Sequence, residues 1–282
     1  MKPTKKAKIT ARAISSLGLE IINWDLGGQK SFRKLYLENT TKYFSDVETI
    51  FYIIDIQDSE RFQESLQYLK DIVNTIIELK QKETRFLILF HKNDPDIRKK
   101  ADVVKNIKSL KDLIIQISSE ISFSFYETSI YDQPSLQKAF SDGVISISNK
   151  SKVIQKLLTD YMGQTFNSAT VLLDRNNFII ASRATKKEYE KICEKIAPRL
   201  SYNLEKLEMQ DLDIVDIVLR FNFTIEEYEN GKEGMVFIKQ IDFMNERLYL
   251  VALCLNHKVK TRSYELLPVL ANNLKEILVT FN

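Results

Sequence analysis

Three short runs constrain the fold of this chain more than anything else in it. They are residues 47–55 (VETIFYIID), 85–90 (RFLILF) and 121–127 (ISFSFYE). Each is rich in β-branched and aromatic residues and reads as a buried strand. Helical patterns separate them. Residues 59–79 put Phe62, Leu66, Leu69, Val73, Ile76 and Ile77 on one stripe, with Ser59 placed as N-cap and Glu60 at the positive helix start. Asn93-Asp94-Pro95-Asp96 breaks the chain and opens a helical stretch to about Ser118, and residues 133–147 read as another helix. Buried strands separated by helices specify a parallel sheet covered on both faces, an α/β fold. Ahead of them, residues 9–14 and 19–24 read as two strands around a turn at Ser15-Ser16-Leu17-Gly18.

The second half has a different order. Residues 151–166 read as a helix, 170–173 and 178–182 as a hairpin, and 186–207 as a long helix. Strands at 214–223, 235–241 and 248–255 follow, with turns at 229–232 and 242–246. A final helix spans 264–281. The order α-β-β-α-β-β-β-α predicts a five-stranded antiparallel sheet with three helices packed on it, an α+β domain. The polar run Asn149-Lys150-Ser151-Lys152 is the expected junction, which gives domains at 1–149 and 150–282.

Composition removes other classes. A chain of 282 residues with 44% hydrophobic and 28% charged residues has a core to bury. A net charge of +3 does not by itself point to nucleic acid, and no aromatic stacking pattern accompanies the basic N-terminus. The apolar run 248–255 is too short to span a bilayer, and the start lacks the apolar segment of a signal peptide. Cys193 and Cys254 stand alone among apolar neighbours, as reduced core thiols of a cytoplasmic protein. No lipidation motif is present, so any membrane contact would be peripheral and come through partners or through a segment this chain lacks.

Three motifs at strand ends carry chemistry. Trp24-Asp25-Leu26-Gly27-Gly28-Gln29 follows a strand. If a nucleotide triphosphate sits there, a carboxylate can hold Mg²⁺ through water. A glycine without Cβ lets its N–H approach the γ-phosphate, and a glutamine after it can orient an attacking water. Without a ligand the same hexapeptide is a glycine turn with Trp24 in the core. Phe90-His91-Lys92-Asn93-Asp94 ends the next buried strand. There a lysine stem can cover a base, and a carboxylate can accept both donors of guanine's N1–H and N2–H₂ edge. The alternative is a solvated turn capping a helix at Asp94 or Asp96. Glu127-Thr128-Ser129-Ile130 ends the third, where backbone N–H groups can face guanine O6. All three lie at carboxyl ends of predicted strands, where open α/β sheets bind ligands.

In these residues the chain resembles the Ras-like small GTPases, which have a P-loop NTPase-like G domain. Trp-Asp-Leu-Gly-Gly-Gln is similar to the switch II motif of the Arf and Rag branches, and residues 55–62 (DIQDSERF) are Arf-like. His-Lys-Asn-Asp, in place of Asn-Lys-x-Asp, is Rag-like, as is Thr128-Ser129-Ile130-Tyr131-Asp132. By its strand order the second half resembles the roadblock/longin-type domain of Rag GTPases. The resemblance implies GTP/GDP and Mg²⁺ as cofactors. It makes Asp25 the Mg²⁺-water ligand, Gly28 the γ-phosphate amide and Gln29 the water-positioning catalytic residue. Lys92 and Asp94 would select guanine, with His91, Thr128 and Ser129 beside them, and Thr4 would complete the metal shell. It also implies a homo- or heterodimer through the second domain, regulators of the activating and exchange kind, and a role in signalling or trafficking.

One departure stands out. The seven glycines, Gly18, Gly27, Gly28, Gly143, Gly163, Gly231 and Gly234, never open a Gly-x-x-x-x-Gly-Lys-[Ser/Thr] loop. That loop supplies the phosphate-cradling N–H groups and lysine. The expectation is therefore a G domain lacking its first strand, with residues 47–55 and 85–90 flanking the gap. Two explanations follow: an N-terminally incomplete GTPase, or a pseudo-GTPase acting as a dimerising scaffold. The joint presence of Asp25, Gln29, Lys92 and Asp94 favours the first. About 40 further in-frame residues bearing the loop would establish it.

Overall fold

A computed structural model describes residues 7–14, 17–145, 147–208, 216–223, 232–243 and 246–280. Thr4, the turn residues 15–16 and residues 229–231 of the predicted turn at 229–232 lie outside the described residues, while Lys232 of that turn is the first residue of a strand. The chain divides into two compact units. One is Met1–Arg12 with Ile21–Ile147, and the other is Ala13–Glu20 with Ser148–Asn282.

The first unit is built on a three-stranded parallel sheet of order β3-β4-β5: β3 (Thr49–Asp55), β4 (Arg85–His91) and β5 (Phe123–Thr128). β4 shows why. Its even residues, Phe86, Ile88 and Phe90, join a cluster with α3 (Phe62–Glu78) and α4 (Ala101–Ile115). Its odd residues, Leu87 and Leu89, pack with Ala139 of α5 (Gln133–Ile145), Phe51 and Tyr126. Apolar residues on both sides of a period-two strand need helices on both faces, as expected.

The predicted gap is not between residues 47–55 and 85–90. β3 and β4 pair directly, from Thr49 opposite Arg85 to Asp55 opposite His91. β4 then pairs β5, from Phe86 opposite Phe123 to His91 opposite Thr128. The most buried strand thus satisfies its backbone on both sides, and the edges of the sheet fall at β3 and β5. Ile53 on β3 is 61% exposed. β1 (Lys8–Ile14) and β2 (Leu19–Asp25) form a separate two-stranded sheet, and most of their residues are exposed.

Other boundaries also moved. Residues 30–44 carry two helices that no pattern in the sequence announces, α1 (Lys30–Glu38) and α2 (Thr40–Phe44). They bury chiefly Tyr36 and Phe44, too thin a stripe to stand out among lysines. Ser59–Arg61 is a 3-10 turn, and α3 starts at Phe62 without a side-chain cap. α4 starts at Ala101, because residues 94–100 close turns such as Ile97 N–H to Asp94 O, 3.0 Å.

In the second unit, α6 (Asn149–Thr165), β6 (Ala169–Asp174), β7 (Ile179–Ala184), α7 (Lys187–Glu208), β8 (Asp216–Phe223), β9 (Lys232–Phe243), β10 (Glu246–Cys254) and α8 (Lys260–Thr280) reproduce the predicted order. All five strands join one antiparallel sheet, β7-β6-β10-β9-β8. Every residue of β6 is buried, so both faces of the sheet centre are covered. The polar run at 149–152 is the first turn of α6, capped by Ser148, whose Oγ accepts from Ser151 N–H at 3.3 Å. Cys193 and Cys254 are buried and free. No described helix is long and apolar enough to cross a membrane.

Candidate functional site

The predicted base-binding residues converge at the carboxyl ends of β4 and β5. The ladder continues past His91, with Ile56 N–H donating to His91 O (3.1 Å) and Asn93 N–H to Thr128 O (3.0 Å). Lys92 between them adopts φ 61°, in the left-handed region that long side chains seldom visit. Its ammonium pairs with Asp55 Oδ2 at 2.5 Å, and that bond, followed by the attraction of the charge, raises the lysine pKa. Asp94 is held at both oxygens. Ser129 Oγ donates to Oδ1 at 2.5 Å, and Gln57 Nε2 donates to Oδ2 at 3.2 Å.

The surrounding groups fix this arrangement. His91 Nδ1 lies 3.1 Å from Thr128 Oγ1, and burial lowers the His91 pKa against the opposing pull of Asp55 and Asp94. Buried Asn93 donates to Glu127 Oε2 at 3.0 Å, and Lys111 pairs with Glu127 Oε1 at 3.2 Å. Ser129 N–H donates to Ser135 Oγ at 3.2 Å, and Tyr131 N–H to Ser129 Oγ at 3.1 Å. The structure thus gathers His91, Lys92, Asp94, Thr128 and Ser129 into one network. Such a carboxylate, with an adjacent lysine stem, can take a planar edge that offers two donors.

The second group, Asp25, Gly28 and Gln29, follows β2 and is tied to α1 instead. Gly27 N–H donates to the hydroxyl of fully buried Tyr36 at 3.1 Å. Arg33 Nε donates to Gly28 O at 2.6 Å, and Arg33 also pairs with Glu64 at 3.3 Å. Gln29 O accepts from Phe32 and Arg33 N–H at the start of α1. A Cβ on Gly28 would meet nothing within 4 Å, so the fold itself does not demand glycine there. Trp24 is partly exposed and meets Tyr43 edge-on at 5.9 Å, so it is not the core residue that a plain glycine turn would use.

Sequence reasoning did not pick out Asp55, Gln57, Arg33 or Tyr36 as site residues. An acidic residue ending a buried strand, Asp55, was the available signal for the first two. Nothing marked Tyr36 apart from its four-residue spacing from Phe32.

The chain is similar in part to known proteins. Residues 2–199 match the model of the Gtr1/RagA G protein conserved region. The ADP-ribosylation factor-like protein alp41 of Schizosaccharomyces pombe is 31% identical over 83 residues, 29% of this chain and 41% of that protein. ADP-ribosylation factor-like protein 3 of Caenorhabditis elegans is 30% identical over 93 residues, 33% of this chain and 46% of that protein. The matches thus span less than half the length of these relatives. Among solved structures, the gliding protein MglB of Thermus thermophilus is 11% identical, with a TM-score of 0.34. It covers 47% of this chain and 93% of its own. A roadblock/LC7 domain of Streptomyces avermitilis is 14% identical, with a TM-score of 0.33, covering 44% of this chain and 97% of its own.

Proposed function

This chain belongs to the Gtr1/RagA G protein family, and from that premise we propose that it is a guanine-nucleotide-dependent molecular switch in signalling or trafficking. It binds GTP and GDP, and hydrolyses GTP when a phosphate-binding loop is present. The observation that carries this reading is Asp94. Its carboxylate stands at the carboxyl end of a buried parallel strand, oriented by Ser129 from the next strand end. Asp94 accepts guanine N1–H and N2–H₂, Lys92 lays its stem along the base, and His91 and Thr128 back the loop.

Gly28 N–H meets the γ-phosphate, and Gln29 orients the attacking water. Among the described residues no cluster of three or more metal-ligating side chains occurs. Asp25 alone suits an ion whose other ligands are phosphate oxygens and water, which is how Mg²⁺ is commonly held in nucleotide sites. The ion supplies charge neutralisation when bound, and Thr4 would add a further oxygen.

The second unit pairs with a like or unlike chain. β8 is an outer strand of its sheet, and Val218 and Leu219 on it are exposed, which supports pairing at that edge. The switch works in the cytoplasm with activating and exchange proteins, and reaches membranes only through partners. Nucleic acid is not among them.

Gln29→Leu tests the catalytic assignment. In protein carrying the phosphate loop it lowers GTP hydrolysis by about tenfold or more and leaves GTP affinity within about twofold. Equal loss of binding and hydrolysis contradicts the role.

A further inference from the structure

Gln57 belongs to none of the three strand-end motifs, yet it reaches the base-selective carboxylate. It lies two residues beyond the end of β3, whereas Lys92 and Asp94 follow β4 and Ser129 follows β5. Its amide nitrogen carries two hydrogens. They serve two acceptors: Lys92 O at 2.9 Å and Asp94 Oδ2 at 3.2 Å. The carbonyl it meets belongs to the left-handed Lys92. Gln57 is itself anchored, because its backbone N–H donates to Asp55 Oδ1 at 3.0 Å while Asp55 Oδ2 holds the Lys92 ammonium.

The count of acceptor positions gives this contact a meaning. A carboxylate offers about four lone-pair positions, two on each oxygen. Ser129 occupies one on Oδ1 and Gln57 one on Oδ2. One position is then left on each oxygen, which matches the one-donor-per-oxygen demand of guanine's N1–H and N2–H₂ edge. Holding both oxygens also fixes the plane of the carboxylate, the degree of freedom on which a two-point contact depends most.

We infer that Gln57 is a positioning residue for guanine specificity, orienting Asp94 from the end of β3 while Ser129 orients it from the end of β5. The inference rests on the guanine reading of Asp94 given above. It predicts a signature that general loosening of the loop would not produce. Inosine presents N1–H but lacks the 2-amino group, so it makes a one-point contact and depends less on the carboxylate plane.

The test is calorimetric titration of the full chain with GMP, IMP and AMP, which probe the base end without a triphosphate. Gln57→Met keeps the volume and removes both donors, and Gln57→Glu places a second carboxylate against Asp94. The wild type prefers GMP over both IMP and AMP. Gln57→Met weakens GMP by about three- to tenfold and IMP by less than about twofold, so the GMP/IMP ratio falls. Gln57→Glu weakens GMP further. An unchanged ratio in Gln57→Met, whether both affinities hold or both fall together, overturns the positioning role and leaves the base site standing. Tighter GMP binding in Gln57→Met also overturns it. A wild type indifferent between GMP and AMP removes the base site, and the inference with it. Gln57 is exposed, so neither variant touches the core.

Discussion

The two ends of the candidate nucleotide site are built by different means. The base end stands on the best-buried strand of the first unit, and its loops are cross-tied. Asp55 meets Lys92, Gln57 meets Lys92 and Asp94, Ser129 meets Asp94, and Asn93 meets Glu127. The phosphate end follows β2, a strand of a two-stranded sheet in which Ile22 is 63% exposed. Described ties on Gly27 and Gly28 run to one helix, through Tyr36 and Arg33. Base selection needs a fixed two-point acceptor, whereas sensing a γ-phosphate needs a loop that can change partners. A carboxylate held at both oxygens suits the first task, and a motif following an exposed two-stranded sheet suits the second.

Truncating the core beneath the base end is the strongest way to break this contrast. Phe90 is fully buried, stacks on Phe125 at 5.9 Å and 3°, and lies under the Lys111 ammonium. Phe90→Ala lowers unfolding stability by about 3–5 kcal/mol in a denaturant titration. At the phosphate end, Tyr36→Phe removes only the acceptor for Gly27 N–H. It costs about 1 kcal/mol and speeds hydrogen exchange at Gly27 while Lys92–Asp94 amides stay unchanged. Similar losses from both variants, or exchange rising at both ends, would erase the distinction.

Gly143 sharpens it from the opposite face of the sheet. A Cβ there would clash with the Phe51 ring and lie 3.2 Å from Leu87. Gly143→Ala therefore destabilises by about 1–3 kcal/mol, because a ring between α5 and β3 has to move. A neutral or stabilising result in thermal unfolding would show that this face is looser than the packing indicates. The smallest effect concerns protons. Burial lowers the pKa of His91 below its ordinary value of about 6.5. The folded state therefore prefers the neutral ring. Its contribution is complete above the unfolded value and is lost as pH falls from there through the folded value. His91→Asn flattens that part of the stability profile, and a profile identical to wild type would remove His91 from the account.

Much of this was readable from residues alone. The buried strand runs, the helices between them and the order of the second unit follow from period-two and 3.6-residue patterns, which are local. The three strand-end motifs were readable because open sheets place loops together at one edge. Pairing was harder. Nothing local states whether β3 joins β4 directly or across an intervening strand, and that choice depends on which backbone groups find partners. Gln57 and Asp94 are 37 positions apart, so their contact is a product of that pairing and carries no local signature. α1 and α2 were missed because their buried faces reduce to little more than Tyr36 and Phe44.

The central claim is that Asp94 makes the base end selective for guanine. Titrating the full chain with GMP and AMP, in wild type and Asp94→Ala, tests it directly. Two charge-assisted hydrogen bonds of about 1.5–3 kcal/mol each predict a GMP preference of at least about tenfold, abolished by the substitution. Equal affinities in the wild type, or a preference that survives Asp94→Ala, would contradict the account.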